Sequence, residues 1–226
     1  MLNVLGCMFL LKEDIKRMEK CFIDSNVIIN YIIFKRLHLI AKNKKEFVKL
    51  MKEKNPQAFY SYGLIEGVRL AELPTFSFSS SNFALGEVAE SIIDQLCLEE
   101  LNKVGIPIKF WKNMRRKYIR EEASKDKINT EIYSELIAFY ETFVQTELII
   151  LNETTSFLSN IAYLLKAQGQ QDAFLLSQSK KEECEFFITC DANLKGVAKG
   201  YKSPQEFCSK KITEKEIRRF LENARK

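Results

Sequence analysis

Asp24 and Asp191 each close an apolar run, Cys21-Phe-Ile-Asp24 and Glu185-Phe-Phe-Ile-Thr-Cys190-Asp191. Short apolar runs of this kind read as buried strands. Both acids therefore stand at strand carboxyl ends, where open parallel sheets collect their ligands. Asp172 opens a helical segment that reaches about Glu183, and Glu87 lies in the first turns of another, from Asn82 to about Val104. Each acid also has an ordinary structural use. Asp24 can begin an Asx-turn, Asp191 can begin the turn Asp-Ala-Asn193, Asp172 can favour its helix dipole, and Glu87 can sit on a solvated face. The four come from separate parts of the chain and meet only through tertiary structure, so spacing alone names no reaction.

Other chemistries lack their residues. The chain has one histidine, His38, which rules out cleavage by a histidine pair and leaves any Cys/His nucleophile dependent on that single residue. Among six cysteines no two stand in C-x-x-C spacing, so a structural zinc site has almost nothing to build with. Neither a G-x-S-x-G elbow nor a Walker-type glycine loop is present.

The elements that must position these acids alternate helix and strand. Residues 21–24 form a strand, followed by a helix that Ser25 or Asn26 caps. Residues 36–54 read as one amphipathic helix closed by Asn55-Pro56. The stretch around Leu64 to Ala71 is helical. Thr75-Phe-Ser-Phe-Ser-Ser-Ser81 is loop-like, with a serine to cap the helix from Asn82. Residues 108–147 read as two helices and Leu148–Leu151 as a short strand. A helix from Thr154 or Thr155 to Lys166, the Asp172 helix, the strand at 185–190 and a last helix from about Thr213 to Ala224 complete the chain. Strands near residues 21, 148 and 186 are expected to be parallel in a buried sheet, an α/β fold.

At 226 residues the chain is long enough for one domain with insertions. Its net charge is +5, a mild surplus that suits a polyanion-binding patch without requiring one. The basic run Lys112, Arg115, Arg116, Lys117, Arg120, with Trp111 and Tyr118 beside it, offers a cationic face for phosphates and rings for unpaired bases; it reads somewhat more readily as a solvated helix face whose aromatics point into the core. No stretch approaches the roughly 18 apolar residues needed to cross a bilayer, and the residues ahead of Cys7–Leu11 make a poor signal peptide. A soluble protein of the reducing cytoplasm, with no membrane partner, is expected.

Four stretches carry a resemblance. Cys21-Phe-Ile-Asp24-Ser-Asn26-Val-Ile-Ile resembles the opening strand of PIN domains. Ser81-Asn-Phe-Ala-Leu-Gly-Glu87-Val is similar to that family's second motif. Gly169-Gln-Gln-Asp172-Ala-Phe-Leu-Leu, then Phe187-Ile-Thr189-Cys-Asp191-Ala-Asn193-Leu, resembles its closing pattern of an aspartate-led helix, a strand and Thr-x-Asp. The segment Tyr201 to Phe207, through Ser203-Pro204, is similar to the family's ending.

The resemblance implies a PIN-like three-layer α/β/α sandwich with a mainly parallel central sheet. Residues 1–226 would form a single domain, with an N-terminal extension at 1–17 and helical elaborations at 56–80 and 105–147. It implies a Mg²⁺- or Mn²⁺-dependent endoribonuclease that cleaves RNA with a metal-activated water, as in the toxins of toxin–antitoxin pairs. Asp24 and Asp191 would be the main metal ligands, completed by Asp172 and Glu87, with Glu66 and Glu90 as alternatives for the helix acid. Asn26 and Thr189 would support the ligands or position phosphate, and Lys112, Arg115, Arg116 and Arg120 would hold nucleic acid. An antitoxin protein and a second copy of the chain are the implied partners. A DNA-cutting nuclease and a non-catalytic RNA-binding module are the alternatives. Hard carboxylate oxygens suit these cations, and carboxylates packed together would raise one another's pKa unless a cation neutralised them.

Overall fold

Five strands, all paired in parallel, form one sheet at the centre of the computed structural model, which describes residues 18–107, 148–151 and 170–223. The strands are β1 (Glu19–Ile23), β2 (Phe76–Ser81), β3 (Leu148–Leu151), β4 (Phe186–Ile188) and β5 (Tyr201–Lys202), in the order β3-β2-β1-β4-β5. Seven helices accompany them among the described residues: α1 (Ser25–Ile40), α2 (Lys44–Lys54), α3 (Pro56–Arg69), α4 (Asn82–Lys103), α5 (Gln170–Lys181), α6 (Pro204–Cys208) and α7 (Glu214–Asn223).

Side chains alternate across the sheet, as the strand repeat of two demands. Cys21, Ile23, Phe76, Phe78 and Ile188 enter one core with residues of α1, α3, α6 and α7. Phe22 and Phe187 enter a second core with Ala84 of α4 and Leu175 and Leu176 of α5. Phe22 and Phe187 stack at 5.5 Å between ring centres across the β1–β4 pair. Helices thus cover both faces, giving three layers, and this explains the near-continuous apolar character of β1 and β4.

α3 lies deepest. Every residue from Ala58 to Val68 is buried. Its Gly63 gives the close approach to α7: a Cβ there would meet Ile217 Cγ1 and Cδ1 at 2.6 Å. Residues 56–80, expected as an elaboration, hold α3 and nearly all of β2 and are central to the molecule.

Two local expectations are corrected. The serine-rich run is the strand β2, paired with β1 and β3, rather than a loop. Its serines are accommodated because Ser79 and Ser80 Oγ donate to the carbonyls of Cys21 and Ile23, at 3.4 and 2.9 Å. Residues 36–54 are two helices rather than one. α1 ends at Ile40, and Asn43 starts α2 by accepting the Glu46 amide at 3.2 Å.

The strand order places β2 and β3 on one side of β1 and β4 and β5 on the other. The direction in which successive strands are added therefore reverses between β1 and β4, the topological switch point at which such sheets open a crevice at the strand carboxyl ends. Of the regions expected to be helical, residues 108–147 and the helix to Lys166 lie outside the described residues.

A candidate carboxylate site at the switch point

The crevice is built from the ends of β1 and β4. Asp24 follows β1 and is itself the N-cap of α1, in place of the expected Ser25 or Asn26. The Asp24 amide donates to the Ile188 carbonyl at 3.0 Å, fixing the two strand ends together. Its side chain, 3% exposed, is held at both oxygens. Oδ1 accepts the Ser25 amide at 2.8 Å and the Ser25 hydroxyl at 3.3 Å. Oδ2 accepts Asn26 Nδ2 at 2.7 Å and the Thr189 hydroxyl at 2.6 Å.

Thr189 and Asn26 are both fully engaged there. The Thr189 oxygen also accepts Asn26 Nδ2 at 2.9 Å and the Asp191 amide at 3.0 Å, while Asn26 Oδ1 accepts the Cys190 amide at 2.8 Å. Three polar side chains thus lock the backbone from 189 to 191 against the start of α1. Asp191 caps the 3₁₀ turn Ala192–Gly196, its Oδ1 accepting the Asn193 amide at 2.8 Å.

Glu87 comes to the same edge from the second turn of α4, which Ser81 starts by accepting the Ala84 amide at 3.1 Å. Asp172 comes from the first turn of α5. The four acids are coupled through their charges. Burial pushes the Asp24 carboxyl up to about 7; the Thr189 and Ser25 hydrogen bonds pull it down, and the charges of Glu87 and Asp172 push it up. Burial also raises Glu87, opposed by the neighbouring Ser25 side chain and reinforced by the charges of Asp172 and Glu90. Asp172 is raised by burial and by Asp191. The charges of residues far apart in sequence thus act on one another at this edge of the sheet.

Glu87 Oε2 is buried without a hydrogen-bond partner. A carboxylate oxygen in that state costs free energy unless a cation or donor reaches it. Hard oxygen donors, repelling charges and an orphaned oxygen together fit Mg²⁺ or Mn²⁺. Among the described residues no three His, Cys, Asp or Glu side chains stand close enough to hold a metal as they are, so the acids interact by charge rather than as a finished coordination sphere.

Among known proteins, no family model matches the chain, and neither does any curated protein or solved structure. The fold and the site rest on this chain's own geometry.

The alternative helix acids take different places. Glu66 is 2% exposed and already used: Tyr31 Oη donates to it at 2.8 Å, and Arg69 donates from Nε at 2.8 Å and from its guanidinium end at 2.6 Å. Glu90 is exposed and reaches the group only by its charge on Glu87. Lys112, Arg115, Arg116 and Arg120 lie outside the described residues.

Three participants were not anticipated. Ser25, expected only as a cap, donates both its amide and its hydroxyl to Asp24. Asn30 Nδ2 and Ser61 Oγ approach the Cys190 thiol at 3.2 and 3.7 Å, bracing the segment between Thr189 and Asp191 from two helices. The position of Ser25 directly after Asp24 was a readable signal. Asn30 and Ser61 sit inside apolar helices and gave none.

Proposed function

We propose that this protein is a PIN-like, Mg²⁺- or Mn²⁺-dependent nuclease whose substrate is RNA. What supports the reading is the hydrogen-bonded junction of Asp24, Thr189 and the Asp191 amide at the ends of two neighbouring strands, with the charges of Glu87 and Asp172 acting on Asp24. Support also comes from the strand order, which puts the switch point between the two strands that deliver Asp24 and Asp191.

Asp24, Glu87, Asp172 and Asp191 would hold the cation. A bound Mg²⁺ or Mn²⁺ supplies water acidic enough to attack near neutral pH and offsets the charge that builds on the phosphate. Asn26, Thr189 and Ser25 keep the Asp24 oxygens in fixed directions, so little reorganisation remains when a phosphodiester arrives. Glu87 offers an oxygen with no competing donor. Asp191 is anchored through the Asn193 amide on its carboxylate and through its own amide on Thr189.

Purified protein with Mn²⁺ should cleave labelled RNA, and Asp24→Asn and Asp191→Asn should abolish cleavage while leaving the protein folded. Intact RNA at high protein excess with metal present would refute the assignment. Parallel DNA flap substrates decide between RNA and DNA.

A further inference from the structure

Positive charge is dense along one segment that the structure describes throughout. Residues 35–54 carry eight Lys and Arg against two Glu, a local surplus of +6, whereas the whole chain carries +5. The remaining sequence is therefore close to neutral, at −1. The structure spreads this surplus over the end of α1, the turn at 41–43 and α2.

Lys42, Lys45, Lys49 and Lys54 are exposed. Lys42, Asn43, Lys44 and Lys45 line an open depression at the turn. Lys52 is tied to Glu214 at 2.7 Å, the one cation of α2 with an ion pair among the described residues. Lys45, Lys49 and Lys54 face solvent without an ion pair among the described residues. Such a concentration of like charge is self-repelling, and it is relieved by a polyanion more than by scattered counterions.

Along the sixteen residues of α1, at 1.5 Å each, the depression lies about 24 Å from Asp24. We propose that the α1–α2 turn and the outer face of α2 form a docking surface for the phosphate backbone of single-stranded RNA, remote from the carboxylate crevice. The choice of RNA rests on the nuclease reading. Lysine contacts of this kind hold the backbone without reading sequence, so the surface would raise affinity for long substrates and leave the cutting preference to the crevice.

The test is anisotropy with a fluorescein-labelled oligouridine in EDTA, where metal-dependent cleavage is suppressed, across a salt series. Lys42→Ala/Lys45→Ala/Lys49→Ala should bind about tenfold or more weakly, and the slope of log affinity against log salt should become shallower by about 2, from ~0.7 per lost phosphate contact. Lys20→Ala/Lys199→Ala, which removes two exposed lysines elsewhere, should bind like the unmodified chain. Equal affinity and slope in the first variant, or an equal loss in the second, overturns the proposal. So does binding to phosphatidylserine vesicles in place of RNA. Lysine-dependent binding by a protein that never cleaves with Mn²⁺ would leave this surface standing and remove the nuclease reading alone.

Discussion

Thr189 donates its hydroxyl to Asp24 Oδ2 at 2.6 Å, joining residues 165 apart in sequence across the ends of two neighbouring strands. The same oxygen accepts from Asn26 Nδ2 and from the Asp191 amide, so its single donor and both lone pairs are used. Thr189 is fully buried. One hydroxyl therefore sets the direction of Asp24 and the path of the chain into Asp191.

Replacing that hydroxyl at constant shape should be costly. Thr189→Val leaves Asn26 Nδ2 with one partner fewer and the Asp191 amide without its acceptor, which costs about 1–3 kcal/mol. Urea unfolding should show this loss, and metal-dependent cleavage should fall with it. Thr189→Ser, which keeps the hydroxyl, should restore most of both. Equal stability of the Val variant and the original chain would mean that the hydroxyl organises nothing.

Charge repulsion gives a signed pH effect. Glu87 is held above its ordinary value of 4.5, first by burial and then by Asp172 and Glu90. The folded chain thus keeps that proton at pH values where the unfolded chain has lost it, so stability falls as pH rises above the unfolded value. Glu87→Gln removes this slope. In EDTA, its Tm relative to the unmodified chain should become more positive between about pH 4 and about pH 8. A flat or falling difference would place Glu87 outside the repelling group.

Glu66 should behave as a structural residue. Glu66→Ala strips Tyr31 Oη and Arg69 of their acceptor. Because the Arg69 side chain is 34% exposed, water relieves part of the penalty, and a loss of about 2 kcal/mol is expected. Cleavage per folded molecule should persist. A fully folded Glu66→Ala protein that cannot cleave would exchange the roles of Glu66 and Glu87.

The sequence made the ends of the site readable and hid its middle. Asp24-Ser-Asn26 and Thr189-Cys-Asp191 each pair an apolar strand with a polar turn, and such signals are local. The strand β2 was hidden because Ser79 and Ser80 look like turn residues until their hydroxyls are seen on the β1 carbonyls. The break at residues 41–43 was hidden because apolar spacing continues across it, and only the Asn43 side chain marks the new start. Glu87 is preferred to Glu66 only by resemblance, since what distinguishes them physically is a long-range partner: Tyr31 for one, the charges of Asp24 and Asp172 for the other.

The most direct measurement is calorimetric titration of the metal-free protein with Mn²⁺ near neutral pH, alongside Asp191→Asn and Glu87→Gln. Saturable binding is expected, weakened at least about tenfold by either substitution, with protons released as the shared carboxylates give up theirs. An absence of binding, or the same affinity in all three proteins, would contradict the claim that these acids form a single cation site.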